Sequence, residues 1–484
     1  MSASNMDRRT VMAGGVAGGL ALVGTPAFAA RPSLPSKRPA LADRNFTSRS
    51  VEREIARVSA RIGDPKLRWM FGNCYPNTLD TTVRMSTIGG APDAFVITGD
   101  IPCLWLRDSS AQLRPYLHLV REDPALRTLF RGLIARQSRS ILIDPYANAF
   151  MHDPSAKTNL SWSLTDDTVM KPGVGERKWE IDSLCYPMWI AHAYWQATGD
   201  TAPFDALWAD GARASIRTFR EQQRKDGPGP YRFRRSSPIV GESMPLDGYG
   251  PPSRPVGLIH CGFRPSDDAC VLPFLIPSNI FAVRALRQVA ELATRARRDT
   301  ALAADASALA DEVEAALRLH GLTKGADGQP VWAYETDGYG NAIFMDDANV
   351  PSLSGLAYLG AVKSDDPLWR RTAARAWSKD NAYFFSGKAA EGIGSPHTGL
   401  REIWPMAIVM HALNALETGD TATVARSLAA LKTTHGGTGF MHESFNQDDG
   451  AKFTRSWFAW ANGLFGELIV DIAAKRPALL GVRA

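Results

Sequence analysis

The sequence predicts an all-α fold in which helical hairpins close into an (α/α)6 toroid with long loops at one rim, and three observations predict it. Apolar residues recur at helical spacing through most of the 484-residue chain. The helical stretches come as antiparallel pairs joined by short turns, about six pairs in all. Between the pairs run longer loops rich in Gly, Pro and aromatics, at 71–108, 141–182, 226–277, 324–351 and 384–399. Those loops hold nearly all the unusual polar residues, and loops on a rigid scaffold are where function concentrates.

The first 29 residues read as an export leader. Asp7-Arg8-Arg9-Thr10 precedes a Gly/Ala-rich apolar run at 13–23, and Ala27-Phe28-Ala29 fits a small-x-small cleavage site. Paired arginines before a weakly apolar core mark a twin-arginine signal. Its partner is the twin-arginine export machinery and its destination the periplasm or the medium. The run is too short to span a bilayer, and no later run reaches that length, so stable membrane insertion is not expected. A Pro-rich flexible tether is expected over 30–45, then one catalytic domain over 46–480.

Within that domain the spacing predicts helices over 51–62, 110–120, 125–140, 184–197 and 206–225. Further helices follow over 278–317 (two segments), 352–361, 367–382, 400–417, 422–435 and 455–474. Thr-Gly-Asp recurs at 198–200 and 418–420. There glycine suits a left-handed helix end, and Asp suits the cap of the next helix. A few short strands are expected in the loops, within 227–260 or 329–345.

Composition narrows the class. The net charge of +5 is scattered, with no Lys/Arg stripe interleaved with aromatics, so nucleic acid is not the partner. Thirteen Trp suit either a sugar-stacking cleft or a large aromatic core. Five cysteines leave at least one unpaired; Cys261 and Cys270 are near enough to bridge, and buried thiols are the simpler state. No Cys/His spacing outlines a metal cage, and no cofactor is implied. Nothing resembles a coiled coil, so a monomer is the default.

The chemistry-bearing residues fall in a few segments. Arg264-Pro265-Ser266-Asp267-Asp268 sets two carboxylates among apolar neighbours, a costly arrangement unless they are used. Neighbouring residues in extended chain point apart, so one Asp faces the cleft and the other caps a helix or pairs with Arg264. Far downstream, Gly439-Phe440-Met441-His442-Glu443-Ser444-Phe445 carries a second acid near Arg455. One protonated and one ionised carboxyl is the equipment of sugar cleavage. Glu402, in Leu400-Arg401-Glu402-Ile403-Trp404, is a reserve base. Trp105-Leu106-Arg107-Asp108 suits a stacked sugar ring with its hydroxyls held, and equally an Arg–Asp ion pair with Asp108 as a helix cap. Asp182, in Glu180-Ile181-Asp182-Ser183-Leu184, suits a cap or a hydroxyl partner.

Four long motifs in order, DAFVITGDIPCLWLRDSSAQLRPYL, WEIDSLCYP, GFRPSDDAC with LIPSN, and MHESF with FTRSWFAWANGLFGEL, resemble glycoside hydrolase family 125. The resemblance runs from about residue 70 to 470. It implies an (α/α)6 barrel, an exo-acting α-1,6-mannosidase on mannose-terminated oligosaccharides or N-glycans, anomeric inversion, and no metal. It implies a general acid in the Arg-Pro-Ser-Asp-Asp motif, taken as Asp268 with Asp267 in reserve, and a general base at Glu443. Trp105, Arg107, Asp108, Asp182, Arg264, His442 and Arg455 then become sugar-binding candidates. Inversion calls for carboxyls roughly 6.5–9.5 Å apart. The alternatives are another activity on the same toroid (glucosidase, lyase or epimerase, the last favouring His260, His397 and His442) and a sugar-binding protein without turnover.

Overall fold

Helices are the main regular structure in this protein, seen in a computed structural model that describes residues 34–481. The expected twin-arginine leader lies outside the described residues. In chain order the helices are α1 (Arg49–Ser59), α2 (Pro65–Cys74), α3 (Asn77–Thr81), α4 (Leu106–Leu113), α5 (Pro124–Ile143), α6 (Ile181–Thr198) and α7 (Ala206–Gln222). They continue with α8 (Ile276–Leu292), α9 (Thr300–His320), α10 (Pro367–Ala376), α11 (Pro405–Thr418), α12 (Thr421–Thr433) and α13 (Ala459–Lys475).

The long helices divide by how they begin. α1, α2, α5, α7, α9, α10 and α12 start at Ser48, Asp64, Asp123, Asp205, Asp299, Asp366 and Asp420. Each of those side chains accepts a first-turn backbone N–H, the usual way a solvated helix start is satisfied. In contrast, α4, α6, α8, α11 and α13 start at Trp105, Glu180, Leu275, Trp404 and Phe458, with no side-chain cap. These uncapped helices form the interior. α4 packs on α6 and α13, α6 on α8, and α13 on α11. The capped helices pack outside: α9 on α8, α12 on α11, α2 on α13, and α5 on α7. α11 and α13 are buried around nearly their whole circumference, which explains why their sequences lack a polar stripe.

Short strands brace the uncapped starts. Leu104–Trp105 pairs with Ala149–Phe150, Phe274–Leu275 with Glu335–Thr336, and Glu402–Ile403 with Ser444–Asn446, all antiparallel. The starts of α4, α8 and α11 are thus fixed by sheet bonds.

Several expectations are corrected. The 71–108 stretch is no loop: it holds the last turn of α2, all of α3, and a hairpin of Val83–Ile88 with Ala91–Val96. The hairpin turns on Gly89 and Gly90, both at positive φ, as a two-residue hairpin turn requires. No named strand lies in 227–260, whereas 329–345 holds three. The 352–361 segment is a run of turns. Asp346 accepts from the N–H groups of Leu353 and Ser354, and Gly355 and Gly360 weaken helix propagation. Trp189 Nε1 donates to Leu359 O and Asn414 Nδ2 to Ser354 O, which ties the segment to α6 and α11. The expected flexible tether is pinned from Lys37 onward. Lys37 N donates to Asn73 Oδ1 at 2.9 Å, and Arg38 bridges Glu52 and Asp80.

The two Thr-Gly-Asp turns differ. Gly199 and Gly419 both adopt the left-handed cap. Asp420 caps α12, but Asp200 is taken by Arg131 at 2.6 Å, and α7 waits for Asp205. All five cysteines are free and buried. No helix among the described residues is long and apolar enough to cross a membrane.

Candidate active site

One pocket sits where the uncapped helices begin. Trp105, Arg107 and Asp108 line it from the start of α4, Trp404 from the start of α11, and Phe458 and Trp460 from the start of α13. Loops supply Thr98, Ile101, Pro265, Ser266, Asp267, Asn349, His397, Glu443 and Arg455. Helix N-termini present free N–H groups and the positive end of the dipole, so carboxylates gather there.

Arg107 is the electrostatic centre. Its Nη1 donates to Glu180 Oε2 at 2.6 Å and to Asp182 Oδ2 at 3.1 Å. Its Nε lies 3.6 Å from Asp108 Oδ2 and its Nη2 3.9 Å from Asp267 Oδ1. Four carboxyl groups therefore converge on one guanidinium. Burial pushes Glu180 well above the usual carboxylate range and Asp182 up to about 6, with Arg107 opposing in both cases. Burial also raises Asp108. For Asp267 burial works the same way, but Lys178, Arg107, His397 and a hydrogen bond with Glu180 outweigh it and hold that carboxyl low.

The Asp267 loop is a tight turn. Asp267 N donates to Arg264 O at 2.9 Å and Arg264 N to Asp268 O at 2.7 Å. Asp267 adopts φ 72°, an uncommon left-handed geometry that Asp tolerates and that recurs at functional sites. The turn sends the two aspartates apart. Asp267 reaches the pocket wall; Asp268 does not line it. Asp268 instead packs near Gly241 and accepts from Ser266 Oγ at 3.3 Å. Burial, helped by the nearby Asp347 charge, lifts it to about 6 against His397, Lys178 and Arg264.

Glu443 stands on the same pocket and is nearly buried. Arg455 Nη1 donates to its Oε1 at 3.3 Å. Arg455 also pairs with Asp100 and lies 4.8 Å over the Phe458 ring. The arginine thus orients Glu443 while Asp100 shares its charge.

Of the residues singled out from sequence, Trp105, Arg107, Asp108, Asp267, Glu443 and Arg455 meet at this pocket; Asp182, Arg264, Asp268, His442 and Glu402 do not line it. Asp182 supports Arg107 from behind. Neither Asp108 nor Asp182 caps its helix, because each lies inside the first turn. Arg264 is an internal brace. Its Nε donates to Glu335 Oε1 at 2.6 Å, while Glu335 Oε2 accepts from Val271 N and Leu272 N. His442 is stacked on Phe453 at 3.8 Å, donates from Nδ1 to Arg455 O at 3.1 Å, and is held below its ordinary pKa by burial. Glu402 is occupied by Asn446 Nδ2.

Sequence reasoning missed Asn349, named His397 only for the epimerase alternative, and quoted Trp404 and Phe458 without a role. A second pair of adjacent acids, Asp346-Asp347, was the available signal. Asp347 is fully buried and accepts from Ser266 Oγ (2.8 Å), Ser395 Oγ (2.9 Å), Asn349 N (3.0 Å) and Asn349 Nδ2 (3.1 Å). Ser395 Oγ in turn accepts from His397 N. One carboxylate thereby ties together three loops that line the pocket. Among the described residues no group of His, Cys, Asp and Glu has the arrangement of a metal site.

Residues 64–470 match the family model described as metal-independent alpha-mannosidase (GH125). The chain is 39% identical over 462 residues to the Meiotically up-regulated gene 157 protein of Schizosaccharomyces pombe, covering 92% of this chain and 90% of that one. It is also similar to a solved metal-independent alpha mannosidase from Streptococcus pneumoniae, described as a non-productive substrate complex with alpha-1,6-mannobiose. That likeness has a TM-score of 0.83 at 40% identity, covering 90% of this chain and 99% of the other.

Proposed function

The chain belongs to glycoside hydrolase family 125, the metal-independent α-mannosidases, and we propose that it removes terminal mannose from α-1,6-linked oligosaccharides, including N-glycans, with inversion. The observation that carries this reading is that Asp267 and Glu443 line one aromatic-walled pocket, each beside its own arginine. The α-1,6-mannobiose bound by the Streptococcus pneumoniae relative supports the linkage. The contacts of α4, α6, α8, α11 and α13, with the 352–361 turns between α6 and α11, support a closed (α/α)6 barrel.

In this reading Trp105, Trp404, Phe458 and Trp460 stack on the apolar faces of the mannose ring. Arg107, Asp108, Asn349 and His397 hold its hydroxyls, the work that a divalent cation performs in a metal-dependent enzyme. Asp267, rather than Asp268, donates a proton to the glycosidic oxygen as the bond to the anomeric carbon breaks. The electron pair leaves with that oxygen. Glu443, oriented by Arg455, takes a proton from a water on the other face of the ring. That water attacks through an oxocarbenium-like transition state, and the product emerges with the opposite anomeric configuration. The proton Asp267 needs comes from its surroundings, because four carboxyls around one arginine cannot all ionise. Asp268 buttresses the turn. The paired-arginine leader supports export by the twin-arginine machinery to the periplasm or medium.

The test is proton NMR of α-1,6-mannobiose hydrolysis with a chelator present, comparing wild type with Asp267→Asn, Asp268→Asn and Glu443→Gln. The expected first product is β-mannose, insensitive to chelator. The expected loss is about 10²–10⁴-fold for Asp267→Asn and Glu443→Gln, with a smaller loss for Asp268→Asn. Early α-mannose would refute inversion. Loss confined to Asp268→Asn would return the acid role to that residue.

A further inference from the structure

Glu180 is fully buried at the start of α6 and does not line the pocket. Its Oε2 accepts from Arg107 Nη1 at 2.6 Å and Ser183 Oγ at 2.7 Å, and its Oε1 from Asn148 Nδ2 at 3.3 Å. Asp267 faces it across the same guanidinium, Glu180 on Arg107 Nη1 and Asp267 on Nη2, where the two carboxyls interact directly. Asp267 Oδ1 is buried, and no nitrogen or hydroxyl donates to it; Arg107 Nη2 stands off at 3.9 Å. Two ionised carboxylates are acceptors only, so this contact is satisfied when one of the two carries a proton. The charges around the pair agree. Arg107 and Lys178 are the cations, Asp108 and Asp182 are further anions, and His397 faces Asp267 from the pocket. Asp267, partly open to the pocket, is the better solvated partner; Glu180 has no water to stabilise its charge.

We propose that Glu180 is a positioning residue that stores the proton which Asp267 delivers. The inference rests on the mannosidase reading above. Before reaction the proton sits on Glu180 and is shared toward an ionised Asp267. As the glycosidic bond stretches, the leaving oxygen gains charge and becomes basic. Asp267 takes the proton held by Glu180 and passes it on to that oxygen. The sugar–oxygen bond breaks, its electrons stay with the leaving alcohol, and Glu443 has gained the proton lost by the attacking water. Glu180 ends ionised and Glu443 protonated, so one proton moving through solvent from Glu443 back to the pair restores the enzyme. No other reactant is needed. This arrangement accounts for an acid whose own environment holds it ionised: the donor is the pair, and such a pair titrates as a unit.

The test compares two substrates. α-1,6-Mannobiose has a leaving group that needs a proton; α-mannosyl fluoride has one that departs with far less help. Glu180→Gln keeps the size of the side chain and donates an amide N–H to Asp267, but it holds no transferable proton. The expected result is a fall of about 10²–10⁴-fold in the ratio of mannobiose to fluoride turnover, in kcat more than in KM. Asp267→Asn is expected to lower the ratio likewise. An unchanged ratio, whether both activities fall together or neither does, would overturn the inference and leave Glu180 a structural partner of Arg107. If wild type cleaves neither substrate, the mannosidase reading fails and this inference with it. If Glu180→Gln does not fold, Ser183→Ala answers instead. It removes a hydrogen bond that favours ionised Glu180, so the alkaline limb of the mannobiose pH profile moves to higher pH. An unmoved limb would count against proton storage there.

Discussion

Replacing Arg264 distinguishes the brace seen in the structure from the sugar contact expected from sequence. Arg264→Met keeps length and apolar packing and removes the guanidinium. Glu335 is then left fully buried without its cation, since Arg264 Nε at 2.6 Å is its ion-pair partner. Breaking one side of a buried pair costs about 3–5 kcal/mol. Two backbone N–H groups, of Val271 and Leu272, still donate to Glu335, and such charge-assisted bonds soften the loss. The lost stacking over Tyr334, at 5.4 Å, adds back about 1 kcal/mol. The expected destabilisation is therefore about 3–5 kcal/mol, which moves the urea midpoint by about 1 M or more. Adding Glu335→Leu to the same chain removes the stranded charge, and part of the loss should return in a double-mutant cycle. Activity at low temperature, where the variant stays folded, should keep a near-normal KM for mannobiose. A small stability change with a large rise in KM would refute the argument and restore Arg264 as a substrate contact.

Two further predictions follow from the same loops. Asp347→Ala strands the hydroxyls of Ser266 and Ser395 and the donors of Asn349. It should cost at least about 2 kcal/mol and lower kcat more than it raises KM, measured by urea unfolding and mannobiose kinetics. Burial lifts the Asp346 carboxyl to about 7, against about 3.9 in an unfolded chain. The folded protein thus keeps a proton that the unfolded chain sheds, so this contribution is complete below about pH 4 and lost as pH rises toward 7. Scanning calorimetry should show the Tm of wild type falling more steeply than that of Asp346→Asn between those limits. Parallel pH dependences would contradict the assignment.

How much was legible in the sequence depends on what decides each feature. Helix existence rests on local periodicity, and the strong stretches of α5, α6, α9, α11, α12 and α13 emerged from spacing alone. The hairpin at 83–96 hid inside an aromatic stretch because its pairing is local but its pattern is short. At Asp267-Asp268 the pair itself announced a costly site, yet which carboxyl enters the pocket depends on a left-handed turn at Asp267. Tertiary packing holds that turn, and no spacing rule encodes it. Arg264 was misjudged for a related reason. Its partner Glu335 is 71 positions away, and nothing local distinguishes an arginine that braces from one that binds. One signal was present and unused. Apolar helices lacking Ser, Thr, Asp or Asn at their starts, such as those after Trp105, Trp404 and Phe458, lack side-chain caps, and these ends meet at the pocket.

The pocket also has an order of assembly. A chain emerges from the ribosome amino end first, so Arg107, Glu180 and Asp267 are available long before Glu443, Arg455, Phe458 and Trp460. α13, which packs against both α4 and α11, is the last long helix of the described chain. A nascent chain therefore contains the carboxyls that converge on Arg107 before it contains Glu443, the proposed base. Arg455 then reaches back to Asp100, 355 positions earlier, like a latch thrown after the door is hung. On the proposed mechanism, a fragment ending before Glu443 lacks the base and the latch alike.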